Sequence, residues 1–164
     1  MKKTLLFSLI LLIVVTVYIV SNVKHKITDT SLTLVENYEV EWGLIIPTPA
    51  EVQNIWSTKE PSHGDGEWIK ALLYKEALPL EQFTVITNDN IEQVQSYITT
   101  FIVNTQNMYL SNERADFLEV INQNPIKIET NYYYYHQSKN DGFDTFIAIY
   151  NKAENKVYTL EWHQ

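Results

Sequence analysis

The first twenty-six residues constrain this chain more than any that follow. Lys2 and Lys3 lead into residues 4–20, which carry no charge and only Thr4, Ser8, Thr16 and Tyr18 as mildly polar members; Lys24, His25 and Lys26 close the stretch. With Ser21, Asn22 and Val23 included, the uncharged run covers residues 4–23, about the length of helix that crosses a ~30 Å hydrocarbon core. Residues 1–26 are therefore expected to be a single transmembrane helix, acting as a membrane anchor or uncleaved signal. A cleavable signal has a shorter apolar stretch and small side chains before the cut. Here the exit is Val17-Tyr18-Ile19-Val20-Ser21-Asn22-Val23, with no Ala-x-Ala-like pair. With no cysteine in the chain there is also no lipoprotein thiol to modify.

Lysines flanking a span set its orientation. Lys2, Lys3 and the amino terminus outnumber Lys24 and Lys26 by one charge. That margin puts the short end inside and the rest of the chain outside the cell membrane, or in the medium if the signal is cleaved. The absence of cysteine suits an oxidising setting and is compatible with the cytosol as well.

Past residue 26 the chain has room for one domain with a real core. Four of the twelve basic residues lie in residues 1–26, which leaves eight against twenty acidic ones, a formal charge of −12 for the remainder. Such a domain is repelled by nucleic-acid phosphates and anionic headgroups. Nucleic acid is excluded as a partner, and a basic protein or peptide is the partner its field favours. Solvation of an exported domain is the plainer use of the same carboxylates.

Ile27–Thr30 reads as a short stalk, and the even spacing of Leu32, Leu34, Tyr38 and Val40 predicts an entry strand up to residue 41. Residues 42–164 then form a single α+β domain. Trp42–Ile46 is apolar and stops at Pro47 and Pro49. Strands are predicted over Val52–Ser57 and Glu67–Tyr74, joined as a hairpin through Pro61, Gly64 and Asp65-Gly66. Asn88–Gln106 predicts the best helix, capped by Asn88, Asp89 or Asn90, with an apolar stripe at Ile91, Val94, Ile98, Phe101, Ile102 and Thr105. A second helix is predicted over Ser111–Gln123, with Ser111 as cap and Ala115, Leu118 and Ile121 or Val120 facing inward. Period-two runs over Lys127–Gln137, Phe143–Tyr150 and Lys156–Trp162 predict a three-stranded antiparallel meander. The expected fold is an antiparallel sheet, hairpin plus meander, packed by two helices.

Chemistry is sparse. Ser62-His63-Gly64-Asp65-Gly66-Glu67 is the one dense cluster. In extended geometry His63, Asp65 and Glu67 would share a side and offer one nitrogen and two carboxylates to a metal or ligand. Ser62 beside His63 does not make a triad, because neighbours in sequence seldom reach that geometry and no Gly-x-Ser-x-Gly turn is present. The glycines are accounted for by turn stereochemistry, which makes a structural turn the plainer reading. His136 could join the loop in a zinc site, although His63, His136 and His163 form no spacing motif. Tyr132–Tyr135 could stack sugars or peptides, but strand alternation predicts two core and two exposed tyrosines. No catalytic constellation and no cofactor motif is present.

The hydrophobic amino terminus, the turn at 62–67 and the closing Val157-Tyr158-Thr159-Leu160-Glu161-Trp162 resemble those of small exported or membrane-anchored proteins of Gram-positive bacteria with a His-Gly-Asp-Gly turn. The likeness covers roughly residues 42–75 and 143–162; it implies an extracytoplasmic location and a hairpin, and carries no activity. Eleven lysines against the single Arg114 suit a low-GC origin. The expectation is a membrane-tethered, non-enzymatic binding module. Its alternatives are a metal- or ligand-binding enzyme using Ser62–Glu67 and an immunity-type protein that neutralises a basic partner.

Overall fold

The computed structural model describes residues 31–58 and 65–164. The anchor expected over residues 1–26 and the stalk over 27–30 lie outside the described residues, and no helix among the described residues is long and apolar enough to cross a membrane. The fold is α+β. Six strands, β1 (Glu51–Ser57), β2 (Gly66–Leu73), β3 (Thr84–Val85), β4 (Tyr133–Lys139), β5 (Asp144–Asn151) and β6 (Lys156–His163), form one antiparallel sheet in the order β1-β2-β6-β5-β4-β3. The hairpin β1–β2 and the meander β4–β5–β6 are both present. They merge because β2 pairs along its whole length with β6, from Gly66 opposite His163 to Leu73 opposite Lys156.

Both faces of this sheet are covered, and the central strand shows it. On β5, Phe146, Ala148 and Tyr150 point into one core, and Ile147 and Ile149 into the other. Successive side chains on a strand face opposite ways, so a strand buried on both sides reads as a continuous apolar run. The first core is closed by helix α1, residues 31–42, and by Leu44, Ile46 and Leu78. The second is closed by α2 (Ile91–Met108) and α3 (Ser111–Gln123).

Helix α1 corrects the expected entry strand. The residues it buries are Ser31, Val35, Tyr38 and Trp42, spaced by four, three and four, which is one face of a helix. The evenly spaced Leu32 and Val40 that suggested a strand stay exposed, at 45% and 78%. The last turn, Tyr38–Trp42, is wound as a π-helix, and Gly43 ends it at φ 72°, with its N–H bonded to the Glu39 carbonyl. Glycine reaches this left-handed conformation without a Cβ penalty. Because Val35 and Tyr38 are core, residues 31–41 belong to the domain.

On α2 the predicted stripe holds: Val94, Ile98, Phe101 and Thr105 are buried. On α3 the bounds hold and the inward face holds in part, with Ile121 packing against the second core. Phe117 is its buried residue, Ala115 and Leu118 are exposed, and the N-cap is Leu110 rather than Ser111. Phe117 is drawn inward by aromatic contacts, 5.1 Å from the Trp56 ring at 71° and 6.2 Å from Tyr109. Strand β4 starts at Tyr133 rather than at Lys127. A turn with Asn131 at φ 74° precedes it, and Ile126 and Ile128 pack in the second core. All four tyrosines of 132–135 are half-buried, with Tyr133 and Tyr135 packing in one core and Tyr132 and Tyr134 in the other. The expectation of two exposed rings fails because helices cover both faces.

Candidate binding groove between α1 and the sheet

Of the residues singled out by spacing, the described ones, Asp65, Glu67 and His136, form no cluster. His63 lies outside the described residues, and Asp65 is exposed just before β2. Glu67 is buried; its Oε2 accepts hydrogen bonds from the Thr58 hydroxyl at 2.7 Å and the Tyr109 hydroxyl at 2.8 Å, and its N–H donates to Thr58 Oγ1 at 2.7 Å. These bonds tie the base of the hairpin to the segment between α2 and α3. Burial pushes the Tyr109 hydroxyl pKa up, so it stays a proton donor to Glu67. His136 sits on β4, three strand positions from Glu67 on β2, and stacks on Tyr97 of α2 with ring centroids 3.9 Å apart and planes 5° from parallel. At ~4.8 Å between neighbouring strands, that offset keeps it away from Glu67. Among the described residues no three His, Cys, Asp or Glu side chains cluster to hold a metal.

A different set converges on the opposite face, where α1 crosses β2 and β6. Strand register builds it. Trp68 lies opposite Glu161 and Gly66 opposite His163, so the alternate positions Trp68 and Lys70 on β2 and Glu161 and His163 on β6 project from one side. Glu161 is the hub. Its Oε1 accepts the Trp42 indole N–H at 2.7 Å and lies 3.1 Å from His163 Nε2. His163 Nδ1 in turn lies 3.8 Å from Asp144 Oδ1, which also accepts the Gln164 N–H at 3.1 Å. Asn140 donates to the other Asp144 oxygen. Trp42 is held as well: it stacks on Phe146 with centroids 5.4 Å apart, and the Lys139 ammonium lies over its ring at 5.0 Å and bonds the Glu41 carbonyl.

The charges follow from this geometry. Burial by itself would raise the Glu161 carboxyl, but the hydrogen bonds from His163 and Trp42, helped by the Lys70 charge, bring its pKa below the ordinary value. The hydrogen bond to Glu161 raises the His163 pKa against the effect of burial, with Asp144 and Glu41 adding to the rise. Burial lowers the Lys70 pKa, opposed by Glu161. Above this cluster opens a groove of about 370 Å³, walled by Leu34, Asn37 and Glu41 of α1 and by Trp68, Lys70 and His163 of the sheet. It presents the exposed Glu41 carboxylate near Trp68, whose ring already has the Lys70 ammonium 5.8 Å from its centroid, while Glu161 is bonded by Trp42 and His163. Its lining contains no Ser or Cys to serve as a nucleophile.

Sequence reasoning treated His163 as isolated. The signal was there in Glu161-x-His163, which inside a strand puts both groups on one face. Trp42 and Lys70 had no local signal, since only the helix crossing and the β2–β6 register bring them in. Compared with models of known protein families, with curated proteins and with solved structures, the chain matches none.

Proposed function

We propose that this chain is a membrane-tethered, non-enzymatic binding module whose domain lies outside the cell membrane and receives a basic protein or peptide. The observation that carries the reading is the groove itself, with Glu41 and Glu161 beside Trp68, on a chain whose portion after residue 26 has a formal charge of −12. Exposed Glu41 is the carboxylate a partner's lysine or arginine meets first, since the Trp68 ring already carries the chain's own Lys70 ammonium at 5.8 Å. The apolar run of residues 4–23 supports the tether, and the likeness of 42–75 and 143–162 to small exported or anchored proteins supports the outward placement.

An oligolysine peptide is the direct probe, with binding measured at low and at physiological salt. Exposed charges are screened over ~8 Å at 0.15 M ionic strength, so affinity should fall as salt rises, and Glu41→Gln should weaken it at low salt. Binding that is indifferent to both salt and Glu41→Gln would refute the groove as the site. Protease treatment of intact protoplasts checks the topology: the domain should be digested while a cytosolic control survives.

A further inference from the structure

On the face away from this groove, a cleft of about 150 Å³ opens between α2 and strands β4, β5 and β6. Its walls are aromatic, formed by Tyr97, Phe101, His136 and Trp162, and the uncharged Asn104 and Thr145 lie among them. In a chain where 20% of residues are Asp, Glu, Lys or Arg, none of these lines the cleft. His136 adds no charge near neutral pH, since burial lowers its pKa from an already acidic ordinary value. A lining that is aromatic, hydrogen-bonding and uncharged selects a neutral ligand with both an apolar face and polar edges.

The arrangement of the rings narrows the ligand further. Tyr97 and His136 are stacked on each other, and the Tyr97 hydroxyl is held by the Gln93 amide at 2.6 Å. Phe101 and Trp162 stand at 81° with centroids 6.1 Å apart. These pairs make a stacked wall and a right-angled corner, with no two facing parallel plates between which a flat aromatic ring would slide. In such a pair the edge of one ring meets the face of the other, and the corner suits a puckered ring, whose weakly positive C–H groups pack against the aromatic surface that Phe101 and Trp162, 4% and 6% exposed, leave to the cleft. Asn104 offers both donors and an acceptor and Thr145 a hydroxyl, which match hydroxyl groups on the ring's rim. A closed cavity of about 150 Å³ holds benzene. This cleft shares Asn104 and Trp162 with a neighbouring hollow of about 370 Å³ that accommodates the substituents of a larger ring; its lining includes the Asp141 carboxylate, which disfavours an anionic substituent there.

We propose that this cleft binds a single uncharged pyranose sugar ring, seated on the Phe101–Trp162 corner and hydrogen-bonded by Asn104 and Thr145. The test uses the full chain in a phosphocholine detergent, which has no sugar headgroup, and follows the His136 ring and Trp162 indole resonances by NMR. The probes are glucose, galactose and N-acetylglucosamine, with glucuronate as the charged counterpart and phenol as the flat one. At least one neutral sugar should shift both resonances saturably, with a Kd on the order of 1–10 mM, and glucuronate should bind about tenfold more weakly, an expected 1.4 kcal/mol. Asn104 is exposed on α2, so Asn104→Leu should fold with an unchanged Tm and lose the shift; Thr145→Val, which keeps the side-chain shape, should weaken it as well. Three neutral sugars that leave both resonances unmoved would overturn the proposal. So would a shift that persists in Asn104→Leu, or saturation by phenol in preference to every sugar.

Discussion

The seating of α1 on the sheet can be tested at one hydrogen bond. The Tyr38 hydroxyl lies 3.0 Å from Thr159 Oγ1, and both residues are 1% exposed. Burial raises the Tyr38 pKa, so the hydroxyl stays protonated and able to donate. Tyr38→Phe removes one partner and leaves the Thr159 hydroxyl in an apolar core; Thr159→Val does the converse. An intramolecular hydrogen bond contributes about 0.5–1.5 kcal/mol net, and an orphaned buried partner costs about 1–3 kcal/mol. Each single change should therefore destabilise by about 1–2 kcal/mol. The double change replaces both hydroxyls at little change of shape and orphans nothing, so its cost should fall short of the sum by about 1–2 kcal/mol. Urea denaturation of residues 27–164, wild type and three variants, gives the cycle. For a chain of this size each kcal/mol also moves Tm by roughly 3–5 °C. Strict additivity, with coupling below about 0.3 kcal/mol, would refute the placement of residues 31–42 as a helix packed on β6, because residues that do not touch do not couple.

Other perturbations follow from the same packing. Glu67→Ala should cost about 1–3 kcal/mol, since it leaves the Thr58 and Tyr109 hydroxyls without their acceptor; a change within about 0.5 kcal/mol in urea melts would mean that the carboxylate is solvent-facing. Phe117→Ala should destabilise by about 3–5 kcal/mol, while Leu118→Ala next to it stays within about 0.5 kcal/mol, and reversal of the two in thermal melts would rotate α3 by a third of a turn. At Gly66 an added Cβ would lie 2.9 Å from both Thr58 Oγ1 and a Trp68 ring carbon, so Gly66→Ala should lower Tm, and an unchanged Tm would show that both neighbours give way freely. His163 carries a pH signature. Its folded pKa is raised above 6.5 by Glu161, so its contribution is complete below that value and is lost as pH rises through the folded pKa. The stability gap between wild type and His163→Gln should therefore be wider at about pH 5.5 than at about pH 9; a constant gap would mean that His163 is not ion-paired.

The features legible in the sequence are those that depend on neighbours along the chain. Periodicity and turn residues located α2, α3, the hairpin and the three C-terminal strands, because a helix face repeats over three to four residues and a strand face over two. The same logic fails where one pattern serves both periods. Residues 31–42 place apolar groups at even and at helical intervals, and only the sheet face waiting to be covered selects the set at Val35, Tyr38 and Trp42. Phe117 was overlooked for a similar reason: its partners Trp56 and Tyr109 come from β1 and from the segment before α3, so no local pattern marks it. The site shows the contrast most sharply. Local density pointed to Ser62–Glu67, whereas the structure buries Glu67 in its own bonds and gathers Trp42, Lys70, Asp144, Glu161 and His163 from α1, β2, β5 and β6. Ionisable groups so distant along the chain meet only when the β2–β6 register and the crossing of α1 are set. Long-range packing sets both, which is why composition alone could establish that the domain is strongly acidic and only tertiary structure could decide where those acids act together.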